Sequence, residues 1–128
     1  MADYRKLLVW QNAHAMALSV EQAVRGMRSP HQISLRSQIV RSALSVPTNI
    51  VEGRTRQSQA EFARFLRIAL NSSSELDYHL LVAAELGCIP PSEYEVLRIR
   101  VEEVAKMLQG LIARIEADRA ERDSAVHS

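Results

Sequence analysis

Apolar residues return every three or four positions along four stretches of this chain, the period of one face of an α-helix. In the first, Val9, Ala13, Met16, Val20, Ala23 and Met27 form the stripe and predict a helix over about 7–27. Gly26 is placed to cap it in the left-handed region, with Pro30 as the stop. The second, over about 34–55 from Ser34 as N-cap, has two adjacent stripes. Leu35, Ile39, Ala43, Val46 and Ile50 make one, and Val40, Leu44 and Val51 the other, a wider apolar arc than one core contact requires. Pro47 lies inside it, without an N–H for the Ala43 carbonyl and with its ring crowding that group. A kink is predicted there, with Ser45, Thr48 and Asn49 placed to serve the freed backbone groups.

The third stretch, about 59–86, opens on the capping box Ser58-Gln59-Ala60-Glu61. Phe62, Leu66, Ala69, Ser73, Leu76, Leu80 and Ala83 continue it, and the small run Asn71 to Ser74 permits close approach of another helix. Gly87 is the predicted C-cap, and Pro90 and Pro91 end the helix. The fourth, about 92–118, opens on a second box, Ser92 to Glu95, and repeats Leu97, Val101, Val104, Leu108, Leu111 and Ile115. Glu102–Lys106 and Asp118–Arg122 are i,i+4 pairs on its surface. Beyond Glu121 the pattern lapses, so residues 1–120 read as one domain and 121–128 as a frayed tail. Short connections and near-3.5 spacing predict an all-α fold, an antiparallel up-down four-helix bundle packed left-handed at about +20°.

The 128 residues suit one domain, and charged residues at 24% argue against disorder of the whole. No apolar run nears the roughly 18 residues of a membrane span, and Gln11, Asn12 and His14 interrupt any signal-peptide core. With one cysteine, Cys88, an internal disulfide is excluded; a cytoplasmic protein without membrane contact is expected. The net charge of +1 hides a division. Residues 25–67 hold eight arginines against Glu52 and Glu61, whereas 68–128 hold six basic and eleven acidic side chains. Such polarity presents a basic face, or simply two solvated surfaces.

Catalytic patterns are missing. No glutamate has a histidine three residues later, as di-iron bundles require, and His-Glu-x-x-His is absent. Glu75, Asp77 and His79 read as a surface cluster or a weak metal site with no second group to complete it. His14, His31, His79 and His127 are scattered, and the glycines stand singly, so neither a triad nor a phosphate loop is supported. Cys88 reads as a small buried side chain before a nucleophile, and Trp10 and the phenylalanines as core before ligand platform. A non-enzyme without cofactor or metal is expected.

The second and third stretches contain Gln38 to Arg41, Ala43, Ser45-Val46-Pro47-Thr48-Asn49-Ile50-Val51-Glu52-Gly53, Arg56, Ser58, Glu61-Phe62, Arg64-Phe65-Leu66 and Ile68-Ala69. With Leu8-Val9-Trp10-Gln11, Glu75-Leu76 and Leu86-Gly87, this resembles the four-helix-bundle proteins encoded by intervening sequences in bacterial 23S rRNA genes. The resemblance covers about residues 4–118, and its specific part is S-x-P-x-N-I-x-E-G. Val40 stands where the family often has a second arginine, and Asn71 where it often has glycine. The resemblance implies a cytosolic bundle assembling as a ring-like homopentamer. It also implies similarity to accessory variability determinant proteins of diversity-generating retroelements, which bind nucleic acid and a reverse transcriptase.

Two functions follow as expectations. One is an oligomeric scaffold whose basic strip, Arg41, Arg54, Arg56, Arg64 and Arg67 with Arg36 beside them, contacts RNA or DNA phosphates. The alternative is an adaptor for a protein partner such as a polymerase or reverse transcriptase. These arginines are equally placed to pair with glutamates. Pro47, Asn49, Glu52 and Gly53 are expected to be structural, shaping the helix and the turn after it.

Overall fold

The computed structural model describes residues 3–127. A 3-10 turn, Tyr4–Lys6, precedes α1 (Leu8–Val24), α2 (Pro30–Arg54), α3 (Gln59–Glu85) and α4 (Pro91–His127). Among the described residues there is no strand. Each helix packs on its two neighbours in the order α1, α2, α3, α4 and back to α1.

The predicted stripes meet inside. Val9, Ala13, Met16 and Val20 face Ile39, Ala43, Val46 and Ile50 with Leu66, Leu76, Leu80, Val104 and Leu108 in one core. All seven predicted positions of α3, from Phe62 to Ala83, are buried. Polar cross-links mark the register of α2 on α3. Gln32 Nε2 donates to Cys88 Sγ at 3.7 Å, Arg41 pairs with Glu75, and Ser45 and Ser72 hydroxyls meet at 2.8 Å. Partner numbers thus fall from 88 in the turn after α3 to 75 and 72 on α3 as those on α2 rise from 32 to 41 and 45. Ser72 and Ser73 supply the small surface for this approach, while Asn71 stays exposed.

Four helix ends differ from the expectation. Pro30 and Pro91 do not stop the preceding helices but open the next ones, each as a first residue whose missing N–H is no loss. Ser29, not Ser34, caps α2, with Gln32 completing the box. Ser92 consequently lies inside the first turn of α4. Ser58 does cap α3, its hydroxyl accepting from the Glu61 amide at 3.1 Å. Gly87 has φ 76°, whereas Gly26 has no positive φ, because α1 ends on Arg25 in the right-handed region. At the other end, α4 runs past 118 to His127. Residues 111–126 contain neither glycine nor proline, so the backbone continues as helix although residues 120–126 are exposed.

Candidate nucleic-acid interface

α2 stays helical through Pro47, which is buried. Asn49 Nδ2 donates to the Ser45 carbonyl at 2.8 Å and to its hydroxyl at 3.0 Å. The carbonyl it serves is thus Ser45's, not that of Ala43. The Glu52 carbonyl accepts from Thr55 Oγ1 at 2.7 Å, closing the last turn of α2. Gly53 is buried against α3, where a Cβ would lie 2.8 Å from Phe65 Cβ and 3.3 Å from the Phe62 carbonyl oxygen. Only glycine permits that distance. This crossing of helices brings the basic turn onto two aromatic rings.

There the guanidinium of Arg54 lies 5.5 Å from the centre of the Phe62 ring. Those of Arg56 and Arg64 lie 4.8 and 4.6 Å from that of Phe65. Cation–π contacts hold such groups in place while leaving their N–H edges available. Arg54 Nε is buried without a hydrogen-bond partner among the described residues. Arg56 pairs with Glu52 at 3.6 Å and Arg64 with Glu61 at 3.0 Å, both on exposed side chains. Such surface pairs contribute about 0–1 kcal/mol, so they hold the two guanidiniums only weakly.

The five candidate arginines do not form one strip. Arg41 lies thirteen residues before Arg54, roughly 20 Å along the helix, and pairs with Glu75 and Gln38. Arg67 turns toward α4 and donates to Glu116 at 2.6 Å. That hydrogen bond, with Arg119 nearby, holds the Glu116 carboxyl below the usual carboxylate range. Arg36 is remote from both, donating to the Met27 carbonyl at 3.0 Å. The structure therefore gathers Arg54, Arg56 and Arg64 and separates the rest.

Sequence reasoning missed Phe65 as a platform. Phe62 is core, as expected, but Phe65 is half-buried beneath two guanidiniums. The adjacency Arg64-Phe65 was the available signal. Elsewhere, Glu75 is taken up by Arg41, and among the described residues no three His, Cys, Asp or Glu side chains come together to hold a metal. No helix among them is long and apolar enough to cross a membrane.

Comparisons with known proteins agree with this architecture. A structure from Bacteroides thetaiotaomicron VPI-5482, a protein with unknown function from the S23 ribosomal protein family, is 26% identical with a TM-score of 0.75. The match covers 82% of this chain and 98% of that one. No curated protein matches. The family model for the 23S rRNA-intervening sequence protein matches residues 5–110, the span holding the Pro47 motif, the arginine corner and the first half of α4. The chain belongs to the 23S rRNA-intervening sequence protein family.

Proposed function

We propose that this chain is a non-enzymatic, cytoplasmic scaffold whose α2–α3 corner holds the phosphates of RNA or DNA. In this reading each protomer is an antiparallel, left-handed bundle within a homo-oligomer, with five subunits by family resemblance. The observation that supports it is the gathering of Arg54, Arg56 and Arg64 on the rings of Phe62 and Phe65. Recognition is of the backbone, because a guanidinium meets phosphate the same way whatever the base.

Self-association is supported by apolar side chains left outside. Ile33, Leu44 and Val51 share one side of α2, and Leu44 is 45% exposed. On α3, Ile68 and Tyr78 are exposed as well, the latter 63%. These exposed side chains equally favour the second reading, an adaptor that presents apolar surface to a protein partner.

Filter binding of mixed-sequence RNA across a salt series tests the corner. Three phosphate contacts on a single strand predict a slope of log affinity against log salt of about −2. Arg64→Glu is expected to abolish retention while leaving the melting curve in place. Retention that ignores salt or survives Arg64→Glu refutes phosphate binding here. Absence of RNA binding, with a protein partner lost in Leu44→Asp, selects the adaptor. Light-scattering mass reads the assembly, and a wild-type monomer refutes it.

A further inference from the structure

A second basic feature lies at the opposite end of α2, where α1 ends and α2 begins. Glu21, Val24, Arg25, Arg28, Arg36 and Val40 line an open groove of about 440 Å³ there. That volume falls in the range of ordinary small-ligand clefts. Three guanidiniums and one carboxylate leave it with a net charge of about +2 at neutral pH. The corner described above belongs to other residues altogether.

The three arginines are differently committed. Arg25 grips Glu21 across one helical turn, its Nε 2.9 Å from both carboxylate oxygens. Arg36 spends one N–H on the Met27 carbonyl, which fixes its side chain beside the turn. A guanidinium has five donors, so most of its hydrogen-bonding capacity remains. The exposed Arg28 side chain has no ion-pair or hydrogen-bond partner among the described residues. Val24, 1% exposed, and half-buried Val40 form an apolar floor between them. A fixed guanidinium, an uncommitted one and a partly dry floor suit a group with several anionic oxygens.

We infer that the α1–α2 groove binds a phosphate-bearing ligand, with Arg28 and Arg36 as its clamp and Glu21 as a competitor that restrains Arg25. The carboxylate of Glu21 occupies the position an anion would take on Arg25, so the affinity is set by both. Pyrophosphate and the backbone of RNA offer the same oxygens, and the groove accepts that chemistry from either source.

The test is titration of the full-length protein with sodium pyrophosphate, read by calorimetry and by amide shifts in the α1–α2 turn. Saturable shifts of the α1–α2 turn amides are expected, read separately from any binding that moves the amides of the α2–α3 corner. Arg28→Ala should weaken it about tenfold or more, the loss of one charge-assisted contact. Glu21→Gln should strengthen it several-fold. Because Arg36 also braces the turn, Arg28 is the cleaner position, and its melting temperature serves as the control for folding. Binding at the groove is scored only by the α1–α2 turn amides and its loss in Arg28→Ala, which separates it from any phosphate held at the α2–α3 corner. A short RNA that binds tighter than pyrophosphate and depends on Arg28 assigns the groove to a nucleic-acid backbone. Equal or weaker binding of RNA assigns it to a small phosphate ligand. No saturable response at millimolar pyrophosphate, or one indifferent to Arg28→Ala, overturns the inference.

Discussion

Two glycines in helices should respond oppositely to the same substitution. An alanine gains about 1 kcal/mol over glycine in a helix interior. At Gly110, on the exposed side of α4, a Cβ meets nothing within 4 Å, so Gly110→Ala should keep that gain. At Gly53 the new Cβ lies 2.8 Å from Phe65 Cβ, 3.0 Å from Phe62 Cδ1 and 3.3 Å from the Phe62 carbonyl oxygen. Ordinary contact requires about 0.6 Å more at the first of these. Phe65 Cβ sits on the backbone and cannot rotate away, so α2 and α3 must part at the corner. Such overpacking costs about 1–3 kcal/mol, and here the upper part of that range applies. The net expectation is a loss of about 1–2 kcal/mol for Gly53→Ala. At roughly 3–6 °C per kcal/mol for a chain of this length, Gly53→Ala should melt about 3–12 °C lower and Gly110→Ala about 3–6 °C higher. Helical circular dichroism followed through the melt, at one protein concentration because assembly stabilises by mass action, reads both. A Gly53→Ala protein that melts at or above the parent refutes the close-approach argument.

Other expectations are simpler to check. Glu116 titrates below its ordinary 4.5, mainly through the Arg67 hydrogen bond. A depressed carboxylate stabilises the fold above about 4.5, and that contribution disappears as pH falls through the native value. Carboxyl NMR titration should therefore show the Glu116 midpoint rising toward 4.5 in Arg67→Ala, and an unmoved midpoint refutes the pairing. Leu76, fully buried between the helices, should cost about 2–5 kcal/mol on truncation to alanine in denaturant unfolding, and a loss below 1 kcal/mol would contradict its place in the core. A chain ending at Arg119 should melt close to the full-length protein, since residues 120–126 are exposed; a fall of many degrees would mean that this segment packs on something.

Four helices and the inward face of each were legible in the residues alone, because helical period is a local property. Val9 to Val20, Phe62 to Ala83 and Val101 to Leu108 could hide their apolar atoms only by packing those faces together. Gly87 was equally readable, as a cap followed by prolines. Helix starts were less so. Proline suits a first turn as well as a stop, and only the fold shows Ser29 capping α2 and Pro91 opening α4.

Charge pairing belonged to the tertiary structure. Arg41 meets a carboxylate 34 residues away and Arg67 one 49 residues away, which no local pattern specifies. The azimuth of each arginine and the helix facing it divided the expected strip. Likewise the ring of Phe65 came under two guanidiniums because Gly53 lets α2 and α3 nearly touch. The groove of Arg25, Arg28 and Arg36 exists only once the end of α1 folds back along the start of α2. Side-chain periodicity thus determined which residues are inside; the juxtaposition of distant helices decided which charges remain free.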